Sequence, residues 1–120
     1  MMKIPGVPPI VYNTSIPSQY EVMVDDNYAA GDPEQRYSHG YFDTCEEATA
    51  ACKKIVEECL IASYKDGMNE EKLYDVYVDF GDDPFIVSED INCKFNAHEY
   101  AKSICKNIIT NQLKASQVKE

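Results

Sequence analysis

Hydrophobic and polar residues alternate along Tyr20-Glu-Val-Met-Val-Asp25, with Tyr20, Val22 and Val24 on one side and Glu21, Met23 and Asp25 on the other. A period of two marks a half-buried β-strand. Arg36-Tyr-Ser-His-Gly-Tyr-Phe-Asp43 reads as a second strand, antiparallel to the first across the loop Asp26 to Glu34, which Gly31 and Asp32-Pro33 punctuate. That loop is too long for a tight hairpin and leaves the register open.

The period then changes. Ala48, Ala51, Cys52, Ile55, Cys59 and Leu60 recur at helical spacing between Thr44 and about Tyr64, with Lys53, Lys54, Glu57 and Glu58 on the opposite face. Thr44-Cys-Glu-Glu47 is a capping box. The Thr44 hydroxyl can accept from the Glu47 amide while the Glu47 carboxylate reaches back to the Thr44 amide. Asp66-Gly67 stops this helix. Asn69 predicts the cap of a second helix over about 70–80, with Glu70 and Glu71 at its positive end and Leu73, Val76, Tyr77 and Phe80 facing the core. Gly81 ends it. Asp82-Asp83-Pro84 reads as a turn into a short third strand, Phe85-Ile86-Val87, with Pro84 at its start or edge because proline has no amide donor. Asn96-Ala-His-Glu99 opens a last helix to about Leu113, turning Ala97, Tyr100, Ala101, Ile104, Cys105 and Ile108 inward.

The order is β-β-α-α-β-α. A two-layer α+β fold, three helices against a small antiparallel sheet of about three strands, buries each of these apolar faces. Four of the six prolines fall within the first 17 residues, so residues 1–18 read as an irregular arm. Its Ile4, Val7, Ile10, Val11, Tyr12 and Ile16 suit packing on the body or on a second copy. The chain thus divides into the arm 1–18, a single domain 19–113 and a frayed tail 114–120.

Composition narrows the function classes more than the fold. A chain of 120 residues with 44% hydrophobic content carries one domain and one core. Its net charge is −10. Residues 21–99 hold 20 acids and six bases, a net −14, whereas residues 100–120 carry +3. Bulk binding to nucleic acid or anionic lipid needs basic patches and is not expected of such a body. No stretch is apolar enough to span a membrane. Arg36 is the single arginine, which argues against a phosphate or carboxylate pocket built on guanidinium groups.

Cys45, Cys52 and Cys59 lie seven residues apart on one helix face, about 10 Å from one another along the axis, too far for a disulfide or a shared metal ion. With Cys93 and Cys105 they make an odd total of five. Reduced thiols packed as small hydrophobes, in a reducing cytoplasm, are the expectation.

Val24-Asp25-Asp26-Asn27-Tyr28, Arg36-Tyr37, Gly40-Tyr-Phe-Asp-Thr-Cys-Glu-Glu-Ala48, Phe80-Gly-Asp-Asp-Pro-Phe-Ile-Val87 and Ala97-His-Glu-Tyr-Ala101 resemble a family of small uncharacterised bacterial proteins over about residues 20–105. The resemblance implies a bacterial, cytoplasmic origin. It implies no activity, cofactor or catalytic residue.

The chemistry-bearing candidates are two acidic pairs and their neighbours. Asp25, Asp26, Asn27, Arg36, Tyr37, Asp82 and Asp83 are the ligand-binding candidates, and all but Asn27, which equally suits a backbone turn, would form one pocket if the ends of the first and third strands were adjacent. Against this, consecutive strand residues point to opposite faces, and both acidic clusters also suit turns. The calcium-loop spacing fails, because Ala29 and Ala30 stand where an oxygen ligand and a glycine are required. His39 is expected in a strand and His98 in the first turn of the last helix. There is no P-loop, Gly-x-Gly-x-x-Gly, His-Glu-x-x-His or Gly-x-Ser-x-Gly motif. No catalytic residue, metal or cofactor is expected.

The leading expectation is a non-enzymatic module that binds a protein partner or itself, through the arm or a tyrosine-rich surface. The alternatives are an acidic nucleic-acid mimic that inhibits a DNA-binding protein, and a metal or small-ligand domain using the aspartate pairs.

Overall fold

The computed structural model describes residues 19–29 and 33–118. Strand β1 (Tyr20–Asp26) is central, flanked by β2 (Tyr37–Phe42) and β3 (Asp82–Val87), both antiparallel to it. Helices α1 (Cys45–Ser63), α2 (Glu70–Phe80) and α3 (Ala97–Val118) complete the order β-β-α-α-β-α. The fold is the α+β arrangement expected from the periodicities. The expected arm 1–18 lies outside the described residues.

Val22 and Val24 are fully buried under the helices, as the alternation required. Val22 packs with Ala48 and Cys52 of α1, and Phe42, Ile55, Ile86 and Phe95 close around them. A second cluster joins the three helices through Val56, Leu60, Leu73, Tyr77, Ala97, Ala101, Cys105 and Ile108. The register left open by the loop is set by a bulge. Val22 pairs with Gly40 but Met23 with Ser38, so His39 is the extra residue, and Gly40 takes φ +150° beside it. A residue without Cβ tolerates that conformation.

The caps formed largely as read. Thr44 Oγ1 accepts from the Glu47 amide at 3.1 Å, and Asn69 Oδ1 accepts from the Lys72 amide at 2.8 Å. The Glu47 carboxylate reaches back one residue further than expected, to the Asp43 amide at 3.3 Å.

Three other details differ from expectation. Asp82 and Asp83 belong to β3 rather than to a turn, because Gly81 completes the reversal alone. Its amide donates to the Tyr77 carbonyl at 2.8 Å and its carbonyl accepts from the Asn27 amide at 2.9 Å. Phe80, placed on the core face by spacing, is 61% exposed. It stands at the last position of α2, where its ring stacks on exposed Tyr28 rather than entering the core. Helix α3 runs past Leu113 to Val118.

The cysteine expectation is corrected as well. Cys45 and Cys93 are joined in a disulfide, while Cys52, Cys59 and Cys105 are free. Spacing within α1 excludes pairs along its own stripe, but Cys93 arrives from the turn before α3, bringing its Cα to 5.8 Å from that of Cys45.

Candidate functional site

The register of β1 against β3 brings both acidic pairs together. Asp25 stands opposite Asp83 and Asp26 opposite Asp82. Directly opposed residues share a face and consecutive ones alternate, so the four carboxylates divide into two pairs on opposite faces of the sheet. The single pocket expected from Asp25, Asp26, Arg36, Tyr37, Asp82 and Asp83 is therefore two sites.

The first site holds Asp25, Asp83 and Arg36. The Arg36 Nε donates to Asp25 Oδ1 at 2.6 Å and its second guanidinium nitrogen to Asp25 Oδ2 at 3.0 Å. The guanidinium carbon lies 5.1 Å from the centre of the Phe85 ring. Helix α3 begins alongside, where Asn96 Oδ1 caps the Glu99 amide at 3.0 Å. His98 Nδ1 is 3.8 Å from Asp83 Oδ2, and its ring meets Tyr77 edge-on at 5.5 Å. Burial raises the Asp83 carboxyl above its ordinary value, the attraction of His98 opposes that, and the Asp25 charge adds to it. These groups line an open cleft of about 420 Å³, together with Phe95 and Ala97. Each acid here has a basic group beside it.

The second site holds Asp26 and Asp82. Asp26 Oδ1 accepts from the Tyr28 amide at 2.9 Å, an Asx turn that starts the 3₁₀ segment Asn27–Ala29. Asn27 is a structural clamp, since its side-chain amide donates to the Tyr77 carbonyl at 2.9 Å. Asp82 is raised by burial first and then by Asp26. Tyr37 is also raised, by burial and then by Asp82. Asp82 opens into a groove of about 470 Å³ lined by Tyr37, His39, Ile55, Glu58, Cys59, Ala62, Ser63 and Phe80. No lysine or arginine is among these residues. Phe80 stacks on Tyr28 with ring centres 5.5 Å apart, and Tyr28 is 74% exposed.

The free thiols add no nucleophile. Burial pushes Cys52 up to about 12 and raises Cys59 and Cys105, so these thiols stay protonated at neutral pH. Among the described residues no three His, Cys, Asp or Glu side chains are placed to hold one metal ion, and no helix is long and apolar enough to cross a membrane.

Sequence reading missed His98, Phe85 and Asn96 at the first site and Tyr28, Glu58 and Phe80 at the second. Tyr28 had a signal in its position next to Asp25-Asp26-Asn27. The others reach their sites only through tertiary packing. The chain matches no protein-family model, no curated protein and no solved structure.

Proposed function

We propose that this chain is a non-enzymatic interaction module whose contact surface is the acidic aromatic groove around Phe80. The observation that carries the reading is the exposed Tyr28–Phe80 stack beside Tyr37, three aromatic rings at 74%, 61% and 51% exposure. Aromatic residues gathered on a surface are common anchors of protein interfaces. The reading keeps the interaction role expected from the tyrosine-rich, acidic composition. The Cys45–Cys93 bond weighs against the reducing cytoplasm that the cysteine spacing suggested.

The test compares the wild-type chain with Phe80→Ser and Tyr28→Ser in affinity capture from cell extract, with light scattering on each purified protein. Capture lost in both variants, or a dimer dissolved by them, supports the reading. Equal capture and equal mass in all three proteins would overturn it. The variants keep their fold in this scheme because both side chains are exposed and touch the core little.

A further inference from the structure

We infer that the groove between β2, α1 and the end of α2 receives an arginine-bearing segment of a basic protein, with the guanidinium against Asp82 and Asp26 and its plane over the Tyr37 or Phe80 ring. This rests on the interaction reading above and names the chemistry of the partner.

Charge complementarity selects the occupant. The groove contains Asp82 and Glu58, Asp26 lies across the ladder from Asp82, and no described lysine or arginine lines it. Among the described residues neither Asp26 nor Asp82 takes part in an ion pair, whereas the matching pair on the opposite face has Arg36 and His98. Burial and mutual repulsion already oppose the charge on Asp82. An incoming cation relieves both costs at once.

The aromatic rings select the kind of cation. A guanidinium is planar, presents paired donors that match carboxylates, and stacks on ring faces with little loss of hydration. The fold already shows this arrangement once, where Arg36 lies over Phe85 while donating twice to Asp25. The groove presents the same acceptor types, a carboxylate beside aromatic rings, with the guanidinium position open. An ammonium meets the charge but not the planar contact. The net −14 of residues 21–99 adds long-range attraction for any basic partner.

The experiment titrates the full chain with an acetylated, amidated decapeptide of arginine, leucine and serine, and with versions carrying lysine or citrulline in place of arginine. Calorimetry at low and physiological salt reads the affinity. The arginine peptide is expected to bind most tightly, the lysine peptide several-fold more weakly and the citrulline peptide not at all. Asp82→Asn should weaken the arginine peptide by about tenfold, the scale of one charge-assisted hydrogen-bonded contact. Phe80→Ser should weaken it too, and Asp66→Asn, which removes a charge from an exposed turn elsewhere, should not. Equal weakening by Asp66→Asn and Asp82→Asn, or no heat with the arginine peptide, would overturn the inference. If that happens while Phe80→Ser still abolishes capture from extract, the partner chemistry is wrong and the interaction reading stands. If Phe80→Ser leaves capture intact, the reading itself fails.

Discussion

The two acidic pairs have the same composition and sit one residue apart on the same two strands, yet they live in different electrostatic settings. Asp25 and Asp83 face Arg36, His98 and the start of α3. Asp26 and Asp82 face an open groove of aromatic rings and another acid, Glu58. The first pair works as a joint, because Arg36 ties Asp25 of β1 to the start of β2 and His98 of α3 faces Asp83 of β3. In the second, Asp26 caps the Tyr28 amide, while burial and the Asp26 charge oppose ionisation of Asp82. Acids that a chain neutralises internally belong to its architecture. Acids left uncompensated beside exposed rings are suited to a partner. The comparison implies that neutralising a carboxylate relieves more strain in the groove, at Asp82, than at the joint, where His98 offsets part of the cost on Asp83.

The largest expected effect lies on the joint side. The Cys45–Cys93 bond anchors the turn that leads into Asn96 and His98 and links residues 48 apart in sequence. Removing a cross-link of that span costs about 4 kcal/mol through the entropy of the unfolded chain. Urea unfolding with and without a reducing agent should show that loss, and a Cys45→Ser, Cys93→Ser double variant should match the reduced protein. A reduced protein as stable as the oxidised one would show that the turn is held by other contacts, such as the hydrogen bond from the Tyr20 hydroxyl to Asp90 Oδ2 at 3.0 Å.

Next comes the pivot between the two sites. A Cβ at Gly81 would stand 2.8 Å from both Tyr77 Cε1 and the Tyr77 carbonyl oxygen. Tyr77 is fully buried and its hydroxyl donates to the Asp82 carbonyl at 2.6 Å, so it has little room to yield. Gly81→Ala should cost about 1–3 kcal/mol, the usual range for overpacking. Denaturant midpoints measure it. Because Gly81 fixes where β3 begins, the same variant should shift amide resonances on both faces of the β1–β3 ladder. Shifts confined to one face would separate the two sites mechanically.

This pivot also marks how far the sequence could be read. Strand β1 was legible because one face is buried and the alternation of Val22 and Val24 with polar neighbours is strict. Helix α2 was legible down to its ends, Asn69 and Gly81, because caps are local chemistry. Asp82 and Asp83 were not legible as strand residues. Their β-propensity is low, and their pairing with Asp26 and Asp25 comes from tertiary register. The candidate site shared this limit. Alternation warned that adjacent aspartates diverge, but no local rule could supply Arg36 to one pair and withhold a cation from the other. The disulfide was hidden for a related reason. Helical spacing speaks about Cys45, Cys52 and Cys59 and says nothing of a turn 48 residues away.

The smallest effect is the most discriminating, because it should have the opposite sign. The Asp82 carboxyl is raised in the folded chain from an ordinary value of 3.8, by burial first and by Asp26 second. Between the unfolded and the folded value the native state binds more protons than the unfolded state, so stability falls as pH rises through that window. Above the window the whole penalty is present. Below 3.8 both states are protonated and the penalty is gone. Asp82→Asn removes the charge at every pH and should raise the melting temperature at pH 7, with the gain shrinking to nothing on acidification through the window. Asp83 is raised for the same first reason but is offset by His98. Asp83→Asn forfeits that attraction, so its gain at pH 7 should be smaller than that of Asp82→Asn. Melting curves of the two variants and the wild type across pH 3 to 7 test this pair directly. Equal gains would mean that His98 does not compensate Asp83 in solution, and a loss of stability in Asp82→Asn would mean that the groove carboxylate is answered by a group within the chain.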